Sequence, residues 1–134
     1  MPEITAAFQI TRWDQTPADN PADGPVAGPA LARAQVDKTY TGDLAGTSVA
    51  HLVMAGEIAY SAVERVTGRL GGRTGTFVLA HGAVTGSGPA DFSPGVVVPG
   101  TGTGELAGLT GTVEFRHDDA GARVVLRYEL APSE

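Results

Sequence analysis

A chain that writes one phrase twice has to build one piece of structure twice. GRLGGRTGTFVLAH, from Gly68 to His81, returns thirty-six residues later as GELAGLTGTVEFRH, from Gly104 to His117, and seven of the fourteen positions are identical. A shorter echo, GDLAG, occupies Gly42 to Gly46. Each copy is Gly-x-Leu-x-Gly leading into a strand-like run. Glycine supplies the positive φ of turns and bulges and permits sharp bends or close backbone approach. The leucine between the glycines can plug the end of a core. A barrel makes the same corner several times, so the phrase reads as architecture before it reads as chemistry.

The rest of the chain agrees with that reading. EITAAFQITR, Glu3 to Arg12, puts Ile4, Ala6, Phe8 and Ile10 on one face and Thr5, Gln9 and Thr11 on the other, the mark of a half-buried strand. Further strands are expected at Ala30 to Tyr40, Leu44 to Met54, Ile58 to Leu70, Arg73 to Gly82, Phe92 to Val98, Leu109 to His117 and Arg123 to Leu130. Gly42-Asp43, Gly56-Glu57 and Gly71-Gly72 turn the chain between them, and HDDAG makes the last hairpin. No window of twelve residues carries a helical stripe. Eight or so short strands with turns between them predict an all-β fold, an antiparallel barrel or sandwich. A single domain over residues 1–134 is expected, interrupted by a Pro-rich surface loop at 14–29 that can be neither helix nor central strand.

Composition narrows the function. The net charge is −6 with only nine Lys and Arg, which argues against nucleic acid and against anionic membrane surfaces as partners. No apolar run reaches the length of a membrane span, and the start lacks a basic segment followed by an apolar one, so a cytoplasmic protein is expected. The absence of cysteine removes disulfides, thiolate nucleophiles and zinc–cysteine sites. Nineteen glycines, without a collagen period, fit a fold rich in turns.

Strand faces then nominate a site. Val113, Phe115 and His117 face inward, and the repeat gives Phe77, Leu79 and His81 the same positions. On the fourth strand the more apolar face carries Tyr60, Ala62, Glu64 and Val66, which turns Glu64 inward. A buried carboxylate needs a partner or takes up a proton with a raised pKa. Inward residues are often small (Ala6, Ala32, Ala34, Ala62), which leaves room for a void lined by Phe8, Tyr60, Phe77, Phe115 and Tyr128. Glu64 and His81 are the candidate catalytic groups, able to orient or protonate an apolar small molecule held there.

Other motifs carry less. GTGTGELAG, Gly100 to Gly108, contains a G-x-G-x-x-A match, but a dinucleotide fingerprint needs a helix to follow, and here more glycines and a strand do. No phosphate loop or nucleophile elbow is present. His51, His81 and His117 lack short ligand spacing, so no metal site is expected, and no motif asks for a cofactor.

The stretches ERVTGRLGGRTGTFVLAH and VPGTGTGELAGLTG, within about Tyr60 to Leu130, resemble a bacterial family of small domains of unknown function in the allene oxide cyclase-like barrel group. The resemblance implies a calycin-like, eight-stranded antiparallel barrel, often a homo-oligomer. In the wider group some members bind or cyclise apolar small molecules. An acid-type peptidase activity has been suggested for the family, yet this chain has no Asp-Thr-Gly or Asp-Ser-Gly motif. Motif positions that match the family are Glu64, Arg65, Arg73, His81 and Glu105.

Three functions follow as expectations. The first is a barrel that binds an apolar small molecule and isomerises or cyclises it. The second is an acid-type peptidase, which needs two carboxylates sharing a proton, Glu64 with Glu105 or Asp37 with Asp43. The third is a filled structural barrel acting through oligomerisation.

Overall fold

A computed structural model describes residues 2–84, 92–118 and 121–130. Eight strands follow one another: β1 (Glu3–Pro17), β2 (Leu31–Gly42), β3 (Leu44–Ala55), β4 (Ala59–Leu70), β5 (Arg73–Val84), β6 (Phe92–Val97), β7 (Thr110–Asp118) and β8 (Gly121–Glu129). Each pairs antiparallel with the next, and β1 pairs with β8, so the sheet closes into a barrel with no free edge. Two single 3-10 turns, Pro21–Asp23 and Gly104–Leu106, are the helical content of the described residues. No described helix is long and apolar enough to cross a membrane. Residues 85–91, between β5 and β6, and Asp119 and Ala120 of the expected HDDAG hairpin lie outside the described residues.

Alternation predicts the strands well because one face of each is buried and the other wet. Along β2, Ala34, Val36, Lys38 and Tyr40 are buried; along β3, Leu44, Ser48, Ala50, Leu52 and Met54; along β4, Ala62, Glu64, Val66 and Leu70. The first strand differs from expectation. It continues to Pro17, so the connection to β2 spans 18–30 rather than beginning at residue 14. β1 also carries a bulge. Ile10 pairs with Lys38 but Arg12 with Asp37, which leaves Thr11 as an extra residue. One extra residue inverts the alternation. Beyond it Trp13 faces Val36 and Gln15 faces Ala34, so both now point inward.

The repeated phrase closes one end. Leu44, Leu70 and Leu106, the leucine of each copy, are all but fully buried in one cluster with Phe77, Leu79, Phe115 and Leu126. The shared glycine that follows, Gly75 in one copy and Gly111 in the other, lets a neighbouring backbone pass. A methyl on Gly75 would stand 2.0 Å from the Thr103 carbonyl oxygen, and one on Gly111 would stand 2.2 Å from that of Arg127.

The GTGTGE run fills a gap in the wall. Among the described residues β6 covers β5 only at Leu79, Ala80 and His81. The uncovered amides of β5 are met by side chains instead: Val78 N–H donates to Thr101 Oγ1 (3.0 Å), Thr76 N–H to Thr103 Oγ1 (3.1 Å) and Thr74 N–H to Glu105 Oε1 (3.1 Å). Main-chain bonds from Val98 N–H to the Val78 carbonyl and from Thr103 N–H to the Thr76 carbonyl complete the seam. Acceptors on alternate residues match amides on alternate residues, and the intervening glycines keep the two backbones close.

Candidate functional site

The barrel is filled in one half and hollow in the other. A second, smaller apolar cluster, built on Ala34, Val36, Ala50, Leu52, Met54 and Ala62, lines the other half. There the small side chains leave a cavity of about 640 Å³. Its rim includes Ile10, Trp13 and Ile58, each 47% exposed. Its inner wall is formed by Phe8, Tyr60 and Phe115, and its polar groups include Lys38, His81 and His117.

Beneath Lys38 and His81 lies Glu64, fully buried at the boundary between the two apolar clusters. Three strands supply its four partners. Lys38 Nζ from β2 lies 3.0 Å from Oε1, and His81 Nε2 from β5 lies 2.9 Å from the same oxygen. Tyr40 Oη (2.5 Å, β2) and Ser48 Oγ (2.6 Å, β3) donate to Oε2. Burial on its own would raise the Glu64 carboxyl. The His81 hydrogen bond, the Lys38 charge and the Ser48 and Tyr40 hydroxyls together outweigh it and bring the pKa down to about 2. Of the two alternatives for a buried Glu64, a partnered carboxylate or a protonated one, the first holds. Glu64 is an anion, held by four groups that periodicity on its own strand cannot reveal. Burial, and next the Glu64 charge, push the Tyr40 phenol well above its ordinary value, so it stays a donor.

An ionised carboxylate only accepts, so the His81 nitrogen facing it, Nε2, carries a hydrogen. The other nitrogen, Nδ1, lies 3.4 Å from Tyr60 Oη in the cavity wall. Lys38 Nζ sits over two rings, 4.4 Å from the Phe115 centroid and 4.8 Å from that of Phe8. The His81 ring lies against Phe115 at 4.2 Å between centroids. These contacts leave both polar groups at the inner wall with little freedom to turn. His117, on the same strand as Phe115, is exposed; its pKa is lowered by partial desolvation and then by the Lys38 charge.

The nominated residues divide. Phe8, Tyr60, His81 and Phe115 come together around the cavity. Glu64 stands behind its wall. Phe77 is fully buried in the filled half, and Tyr128 packs against that same cluster, near Gly71, so neither lines the cavity. Lys38 and Trp13 are the residues that sequence reading missed. Lys38 shares the parity of Ala34, Val36 and Tyr40, and that signal was available in the sequence. Trp13 has the wrong parity, and only the bulge turns it in. The carboxylate pairs of an acid hydrolase do not form. Glu105 accepts from the amide and hydroxyl of Thr74 at the surface, while Glu64 is enclosed by Lys38, Tyr40, Ser48 and His81. Asp37 is met by Gln35, and Asp43 sits in the exposed β2–β3 turn. Among the described residues no three His, Cys, Asp or Glu side chains converge as a metal site.

Comparison with known proteins agrees with the fold and leaves the chemistry open. The family described as "Protein of unknown function (DUF3224)" matches residues 4–130. A crystal structure of a protein of unknown function from that family, from Shewanella oneidensis MR-1, is similar to this chain at 31% identity and a TM-score of 0.78, covering 98% of this chain and 99% of the other. Comparison with curated proteins finds no match.

Proposed function

The chain belongs to the DUF3224 family, and we propose that it is a ligand-holding barrel, which takes an apolar small molecule into its hollow half and acts on it as an isomerase or cyclase of the allene oxide cyclase-like kind. The observation that carries this reading is the cavity of about 640 Å³ ending on Lys38 and His81, both tied to one buried carboxylate. Cavities of roughly 300–1,000 Å³, mostly apolar with a few convergent polar groups, are the usual form of small-molecule sites. The rim of Ile10, Trp13 and Ile58 suits an apolar entrant, and the polar end gives it one fixed orientation. A cavity of this size speaks against a filled structural barrel, and the separate partners of the nominated carboxylates, Glu64 with Lys38 and His81 but Glu105 with Thr74, speak against the acid peptidase.

Trp13 is the chain's one tryptophan and stands at the rim, so binding can be read from its fluorescence. Titration with 8-anilinonaphthalene-1-sulfonate, an aromatic probe of suitable size, is expected to quench Trp13 saturably at one site per chain. Ala32→Phe, which fills the cavity from β2, is expected to abolish the effect while far-UV circular dichroism stays unchanged. Unsaturable quenching, or quenching that survives the filled cavity, refutes the ligand barrel.

A further inference from the structure

We infer, resting on the cavity as a ligand site, that the barrel moves a proton at the carbon next to a carbonyl: it takes an apolar, enolisable ketone, holds the oxygen at Lys38 and removes the α-proton with His81 Nδ1.

The geometry supplies each part. Ionised Glu64 fixes the hydrogen of His81 on Nε2, which leaves the Nδ1 lone pair as the basic atom on the Tyr60 side of the ring. A base whose tautomer is set by a buried carboxylate is the arrangement proton abstraction needs. Lys38 is the complementary electrophile. Its Nζ lies 3.0 Å from Glu64 Oε1 and His81 Nε2 lies 2.9 Å from that same atom, so one oxygen anchors both the base and the cation. The charge of Lys38 is positioned before substrate arrives, in a site walled by Phe8 and Phe115, where a developing oxyanion is stabilised without rearrangement of solvent. Apart from Gln15, Glu57, Tyr60 and His117, the rest of the wall is apolar and receives a hydrocarbon body.

The step balances without a further reactant. The α-carbon–hydrogen bond breaks and its proton goes to Nδ1. The electron pair becomes the carbon–carbon double bond of the enolate, and the carbonyl π pair moves onto the oxygen beside Lys38. Exchange with solvent follows when the Nδ1 proton leaves to water, a solvent deuteron replaces it, and that deuteron is delivered to the same carbon. Return to the far end of a conjugated enolate shifts a double bond. His81 and Lys38 finish as they began. Glu64 is a positioning residue here, since it touches neither reacting atom.

The test uses 2-nonanone in D₂O. Binding is followed by Trp13 fluorescence, and loss of the α-protons by NMR. Wild-type protein is expected to accelerate exchange by about a hundredfold or more over an equal concentration of imidazole, the low end of what a positioned base contributes. His81→Gln and Lys38→Met are each expected to lose at least about tenfold of it. His51→Gln, on the exposed outer face of β3, is expected to leave it unchanged. Should His81→Gln fail to fold, Ala32→Phe decides: it keeps Glu64 and its partners yet must abolish exchange. Saturable binding with exchange no faster than imidazole overturns the proton-transfer inference and leaves the ligand barrel standing. Exchange that persists in Ala32→Phe overturns the inference as well. No binding and no exchange overturn both.

Discussion

Glu64 concentrates most of what is unusual at the level of single residues. A buried ion pair is weak grounds for stability, because well-packed apolar groups of the same volume often do as well. Its persistence in an otherwise apolar barrel points to chemistry, where perturbed groups gather. Removing one partner is another matter. Glu64→Gln is expected to cost about 3–5 kcal/mol at neutral pH, since it strands the Lys38 ammonium away from water, and denaturant unfolding checks this. The pH dependence has a definite sign. The folded pKa is about 2 against an ordinary 4.5, so the stabilisation is complete above pH 4.5 and disappears as the pH falls through about 2. That difference amounts to about 3 kcal/mol. Wild-type stability is expected to fall across this window, and the Glu64→Gln curve to be flatter by that amount; parallel curves would show that Glu64 is not held as an anion. The inward position of Glu64 was legible from the parity of Tyr60, Ala62 and Val66. Its charge state was not, because Lys38, Ser48 and His81 come from strands 26, 16 and 17 residues away.

At the scale of elements, two devices explain the glycine-rich phrases. The first is close approach. Gly75→Ala and Gly111→Ala each drive a methyl into a carbonyl oxygen of another segment, and each is expected to destabilise by about 1–3 kcal/mol or more. Equal effects at these equivalent positions would mark the phrase as one structural unit, and thermal melts measure them. The second is the seam where Thr101, Thr103 and Glu105 accept from alternate amides of β5. Thr103→Val keeps the shape and removes the acceptor, leaving the Thr76 N–H to water; a loss of about 0.5–1.5 kcal/mol is expected, and Thr103→Ser should recover most of it. Amide hydrogen exchange at Thr76 should quicken in the valine variant and return to normal in the serine one. Strand positions were readable because alternation survives wherever one face is dry. The seam was not: a run of Thr and Gly has no apolar period, and its partner lies on a strand about 25 residues earlier in the chain. The bulge at Thr11 was equally hidden, since Ile4, Ala6, Phe8 and Ile10 keep perfect alternation up to it.

Across the whole molecule, closure of β1 on β8 joins a filled half to a hollow one through the Glu64 cluster. Without a free edge, neither half can unravel strand by strand. Unfolding followed by Trp13 fluorescence, which reports the hollow half, is expected to coincide with unfolding followed by far-UV circular dichroism, which reports the entire sheet. An earlier Trp13 transition would mean that the mouth melts as a separate unit. The eight-strand barrel was legible in the sequence because successive strands pair with one another; the hollow was not, since alanines on an inward face give room without saying which half receives it. The Thr-Gly seam has a consequence of another kind. Its tooth is a two-residue unit, one acceptor and one spacer, and adding or deleting one such unit keeps every following side chain on its own side of the wall. A lineage can thus adjust the height of this wall in discrete steps, while the strands that carry the Glu64 cluster stay in register.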